Sequence, residues 1–184
     1  MFDPSRFFPR FLPLRDLAAL AGKTIVERAS EGERAALAEA FDLPAIESFE
    51  VEAKLGRAGR EGWRLDGRLR AKATQLCVVT LAPVPAAIDE TFERRYEPGV
   101  EPDPALDLGV DPEAEDPPEP LGAGVDLGAA AVETFALALD PWPRAEGAVF
   151  ETARSAPPGE EPISEEREKP FAQLAALKAR LERG

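Results

Sequence analysis

Between residues 45 and 73 apolar and polar side chains alternate with a period of two, and that pattern leaves few folds open. In residues 45–55, Phe49, Val51, Ala53 and Leu55 take one parity, while Ser48, Glu50, Glu52 and Lys54 take the other. Residues 56–62 are short, charged and glycine-bearing, which predicts a hairpin loop. Residues 63–73 then set Trp63, Leu65, Leu69 and Ala71 against Arg64, Asp66, Arg68, Arg70 and Lys72. A third run, residues 84–96, places Val84, Ile88, Phe92 and Tyr96 on one parity. Three such strands joined in sequence predict an antiparallel sheet with one buried face, which helices must cover.

The candidates for that cover lie on both sides of the strands. Residues 11–14 and 23–28 read as short strands broken at Ala21-Gly22. Ser30 and Glu33 have capping-box spacing ahead of a helix that gathers Ala36, Leu37, Ala40 and Phe41 on one face and stops at Leu43-Pro44. Asp126 is placed to cap another helix through Leu139, ended by Asp140-Pro141-Trp142-Pro143. The fold class expected is α+β, an antiparallel sheet with a few packed helices.

Charge divides the chain along its length. The formal net charge of -13 belongs entirely to the second half, because the first 95 residues balance. Residues 97–126 hold ten acidic residues, no basic one, and prolines at 98, 102, 104, 112, 117, 118 and 120. Such a segment buries too little apolar surface to offset its ordering entropy, so it reads as a linker. The organisation expected is a core at 1–96, an acidic proline-rich linker at 97–125 and a helical segment completing the domain at 126–150. A second acidic linker follows at 151–169. A C-terminal amphipathic helix ends the chain at 170–184, where Phe171, Leu174, Leu177 and Leu181 fall at helical spacing.

With no histidine and a single cysteine, Ser-His and Cys-His nucleophile pairs, intramolecular disulfides and Cys/His metal sites are all excluded. No Gly-rich phosphate loop is present, and the carboxylates lie chiefly in proline-rich segments that hold ligands poorly. The expectation is a protein that is not an enzyme and needs no cofactor or metal. No apolar run reaches membrane-spanning length, and the start lacks a secretory apolar core, so a cytoplasmic location without a membrane is expected.

Residues 65–99 carry a more specific signal. Gly67, Ala71, Gln75, Cys77, Thr80-Leu81 and Pro83-Val84 resemble the central strand, turn, strand motif of the YceD family of large ribosomal RNA subunit accumulation proteins, as its proteobacterial members show it. The block from Val125-Asp126-Leu127-Gly128 through Glu133 to Pro143-Arg144 resembles the family's second block, and Pro170-Phe171-Ala172 with Leu174 and Leu177-Lys178 its last. Many members place two cysteines in the central turn. This chain has Cys77 and then Thr80, so the turn is expected to be structural, with Gln75, Cys77, Thr80, Leu81 and Pro83 as its scaffold.

The resemblance implies a role in the accumulation, processing or stability of large-subunit ribosomal RNA. The physical candidate for contact is the basic run Arg57, Arg60, Arg64, Arg68, Arg70 and Lys72. The competing expectation is a solvated face paired with Glu50, Glu52, Asp89 or Glu93 on neighbouring strands. Trp63 or Tyr96 would stack on a base only by reaching the same surface. The partners expected are large-subunit ribosomal RNA or its precursor. In the alternative, the chain is an adaptor for a large-subunit ribosomal protein or a maturation factor, held through the acidic linker and C-terminal helix.

Overall fold

The computed structural model describes residues 3–100 and 117–149. Residues 1–148 form one compact unit and 149–184 a second, of which only Val149 is described. The predicted linker at 151–169, the predicted helix at 170–184 and residues 101–116 of the first linker therefore lie outside the described residues.

The alternating runs form a meander of long strands, as their patterns require. β3 (Ala45–Ala58), β4 (Gly62–Leu76) and β5 (Pro83–Glu97) are antiparallel neighbours, with β2 (Thr24–Arg28) outside β3 and β6 (Glu119–Pro120) outside β5. A second small sheet pairs β1 (Phe11–Pro13) with β7 (Gly124–Asp126). The first hairpin is tighter than its sequence implies. Arg57 pairs with Trp63 and Ala58 with Gly62, leaving residues 59–61 to turn, with Gly59 at φ +62°.

The buried parity is the predicted one: Phe49, Val51, Ala53, Leu55, Trp63, Leu65, Leu69, Ala71, Ile88 and Tyr96 are all within the core, and Phe92 is half-buried. Gly67 shares that parity for a steric reason. A Cβ there would meet Cζ of Phe92 at 2.1 Å, so the Phe92 ring lies across the glycine of the neighbouring strand.

Three helices complete the unit: α1 (Leu14–Leu20), α2 (Glu31–Ala40) and α3 (Leu127–Ala138). Ser30 and Glu33 form a reciprocal capping box on α2, and Asp126 accepts the Ala129 N–H at 2.9 Å to cap α3. Helix α1 replaces the end of the predicted strand at 11–14: Pro13 sits extended as its N-cap and Leu17 is fully buried. The three helices and the N-terminal segment pack through Phe8, Leu17, Leu37, Val132 and Phe135 into the same buried cluster as the inner face. Phe49 receives Phe8 and Phe135 edge-on at ring-centroid distances of 5.2 and 5.5 Å. None of the described helices is long and apolar enough to cross a membrane.

The predicted linker boundary needs correcting. Residues 119–126 belong to the fold: β6 pairs with Tyr96 and Glu97, β7 with β1, and Leu121 and Val125 are buried. Composition misleads here because the two acidic side chains of this stretch have partners, Asp126 as the cap of α3 and Glu119 with a cation. Glu119 lies 3.2 Å from Arg94, which also meets Glu133 of α3 at 3.3 Å. Two apolar residues between prolines and acids suffice to anchor the segment.

The tightest joint lies where α3 meets the N-terminal segment. A Cβ on Gly128 would sit 1.8 Å from the backbone oxygen of Phe8. Helix propensity alone would make Gly128→Ala stabilising by about 1 kcal/mol. The steric clash reverses the sign, and chemical denaturation of Gly128→Ala is expected to show a loss of roughly 1–3 kcal/mol.

Candidate nucleic-acid interface

Opposite the core, the sheet's outer face carries no helix among the described residues and is lined with charge. Strand parity puts Arg64, Asp66, Arg68, Arg70 and Lys72 of β4 on it, with i and i+2 residues about 7 Å apart along the strand. Register brings further cations to this face: Lys54, at the start of the basic stretch, opposite Asp66, and outside that stretch Arg28 opposite Glu50 and Arg95 opposite Arg64.

The face is laced with ion pairs. Arg68 grips Asp89 with two donors, the Nη2 bond at 2.7 Å, and this holds the Asp89 carboxyl below its usual range. Arg64 meets Asp66 at 3.0 Å. Arg70 lies 3.9 Å from both Glu50 and Glu52 and 3.8 Å from Asp89. The guanidinium side chains remain 51%, 49% and 43% exposed at Arg64, Arg68 and Arg70. Exposed pairs of this kind contribute about 0–1 kcal/mol each, so a phosphate can replace the carboxylate at little cost.

Of the six residues predicted to meet RNA, four share this surface and two do not. Arg57 has the inner parity and lies over the Trp63 ring at 4.1 Å, closing the end of the core. Arg60 sits in the turn between β3 and β4. The aromatic stacking candidates are also removed: Trp63 is 3% and Tyr96 5% exposed, and burial pushes the Tyr96 phenol well up.

The motif residues 75–83 build a structural knuckle at the other end of the sheet. Gln75 is buried and its Nε2 donates to the Asp140 carbonyl at 2.8 Å, tying β4 to the end of α3. The Val78 N–H donates to the Pro143 carbonyl at 2.9 Å. Leu81 closes the turn at φ +59°, its N–H donating to the Cys77 carbonyl, and Pro83 opens β5 opposite Leu76. Cys77 has no exposed surface. Its Sγ accepts the N–H groups of Val79 and Thr80, each at 3.4 Å. The Ala145 N–H foremost, then the Thr80 hydroxyl, bring the thiol from its ordinary 9.0 down to about 6 despite burial. Among the described residues no group of Cys, Asp or Glu is placed to hold a metal ion.

A depressed thiol pKa links this knuckle to stability. Because the folded value lies below the unfolded one, the thiolate's stabilising contribution is complete above pH 9.0 and is lost as pH falls through about 6. Denaturation midpoints are expected to rise across that window and to lose the rise in Cys77→Ala. The native thiol should stay unreactive toward a bulky disulfide reagent until the chain unfolds, since access fails even where the thiolate is populated.

Comparison with known proteins bears on these features together. No curated protein and no solved structure matches the chain. The family model of the large ribosomal RNA subunit accumulation protein YceD matches residues 65–178. That span takes in β4 from Leu65 onward, the Cys77 knuckle, β5 and α3. The family is defined by ribosomal RNA accumulation rather than by a reaction, and by this match over more than half its length the chain belongs to the YceD family.

Proposed function

We propose that the protein supports the accumulation of large-subunit ribosomal RNA by binding that RNA or its precursor, without catalysis, through the outer face of β4. The observation that carries this reading is that Arg64, Arg68, Arg70 and Lys72 share one face of the sheet that no described helix covers, with Lys54 and Arg95 beside them. Such a surface neutralises phosphates and releases counterions, which gives affinity with little sequence readout. The paired carboxylates temper it: they keep the face near neutral and favour a ligand whose phosphates are dense enough to displace them.

A second reading, a protein adaptor, is favoured by one other observation. Leu81 and Trp142 are each 71% exposed beside the Cys77 knuckle, and aromatic and aliphatic anchors of that kind dominate protein interfaces. Pull-down after ribonuclease treatment separates the two, since an adaptor keeps its partner and an RNA-binding factor loses it.

Filter binding of the purified chain to large-subunit ribosomal RNA should weaken steeply as salt rises. Replacing Arg64, Arg68 and Arg70 together by Glu should cut affinity by tenfold or more and flatten the salt slope by about one unit for each phosphate no longer neutralised. An unchanged slope and affinity in a variant that still melts cooperatively would remove this surface from the reading.

A further inference from the structure

Among the described residues, the edge of the sheet at β5 is unpaired over most of its length. Strand β6 covers only Tyr96 and Glu97, and Pro117-Pro118 immediately before it have no N–H groups with which to extend the ladder. At the other end Pro83 and Pro85 remove donors from the same edge. Between these stops β5 runs from Ala87 to Glu93 in unbroken register with β4, with no bulge to turn it away.

Backbone polarity along this window is fixed by one hydrogen bond. The Leu121 N–H donates to the Glu97 carbonyl at 3.0 Å, so Glu97 points its backbone groups away from β4. In an antiparallel strand alternate residues point the same way. Ala87, Asp89, Thr91 and Glu93 therefore present their N–H and C=O groups outward, and among the described residues no strand pairs with them there.

A groove lies beside this edge on the inner side, between β5 and α3, lined by Glu90, Phe92, Arg94, Thr134, Leu137 and Ala138. Leu137 is 83% exposed there. Arg94 is engaged by Glu119 and Glu133, whereas Glu90 and Glu93 make no ion pair among the described residues. The open carboxylates thus stand one on each side of the unpaired ladder.

We propose that the β5 edge from Ala87 to Glu93 is a strand-addition site for an extended segment of a protein partner rich in basic and aliphatic residues. Main-chain bonds to the outward groups supply affinity, and side chains alternate between the two faces of the added strand. Basic side chains meet Glu93 on the outer face and Glu90 at the groove, and an aliphatic one covers Phe92 and Leu137. The chain's own sequence suits the edge poorly: continued in the register of β6, Asp116 would oppose Glu93 and Glu113 would oppose Glu90. This site is independent of the RNA-binding reading, since it uses the backbone edge and the groove rather than the arginine row.

The test uses the full chain and a capped Lys-Val-Thr-Lys-Thr-Val-Lys peptide, which sets Lys opposite Glu90 and Glu93 and Val opposite Phe92 in either strand direction, with amide exchange read residue by residue. Binding is expected to protect the amides of Ala87, Asp89, Thr91 and Glu93, and a peptide with Glu in place of Lys should not bind. Thr91→Pro removes one outward donor from an exposed position, and Glu90→Lys with Glu93→Lys reverses the charge. Each change should weaken the peptide by about tenfold or more while leaving the thermal melt intact. No binding, equal binding by Thr91→Pro, or protection elsewhere on the chain would overturn the proposal. So would a self-associated chain whose protection already covers these four amides, since the edge would then belong to a second copy.

Discussion

Phe49 is the point at which the unit is tied together. It projects from β3 into the centre of the inner face, where Phe8 of the N-terminal segment and Phe135 of α3 meet it edge-on, and Phe41 at the end of α2 meets Phe135 in turn at 5.5 Å. Elements far apart in sequence are thereby fixed to one strand by rings worth roughly 1.5–3 kcal/mol each in buried area. Arg10 reinforces the junction from outside, bonding Glu27 and Glu33 at 2.8 Å and lying 4.2 Å over the Phe8 ring. The three described helices all pack on this side, and among the described residues none covers the opposite face of the sheet. The charged surface is thus a consequence of how the core is filled.

That consequence sets the electrostatics of the outer face. Opposite charges on neighbouring strands offset one another there, Arg70 directly across from Glu50 and Arg68 diagonally from Asp89, whereas Arg64 faces Arg95 and Asp66 faces Glu93. The same pairs limit what the face can do. Each arginine reaching for a phosphate leaves a carboxylate near the ligand, so affinity grows only where several phosphates engage together. A row along one strand suits a polyanion and offers little to a single anion.

Much of this was legible in the residues because a period of two has one structural meaning. The alternation in β3, β4 and β5 gave the buried parity, and the capping residues Ser30 and Asp126 gave the starts of α2 and α3. Other features resisted because their causes are not local. Arg57 reads as one more member of a basic run, yet pairing opposite Trp63 sets it over that ring, on the other side of the sheet from the arginine row. Leu121 and Val125 look like exceptions within an acidic linker until β1 and β5 are present to receive them. Helix α1 is seven residues long and is held by the buried Leu17 rather than by its own propensity, so tertiary packing decides it.

The family match begins at Leu65, inside β4, and so leaves β1, β2, β3, α1 and α2 outside it. The matched span cannot stand alone in this fold. Leu65, Leu69 and Ala71 of β4 are buried in one cluster with Phe49, Val51 and Leu55 of β3, and α3 seats Gly128 against the backbone of Phe8. Removing residues before 65 would expose the inner face of β4 and give the sheet a second long open edge, a state prone to pairing with other chains. The arginine row also meets β3, whose Glu50 and Glu52 each lie 3.9 Å from Arg70 on the outer face. Whatever the matched half contributes chemically, its geometry is set by the half that the family pattern does not cover.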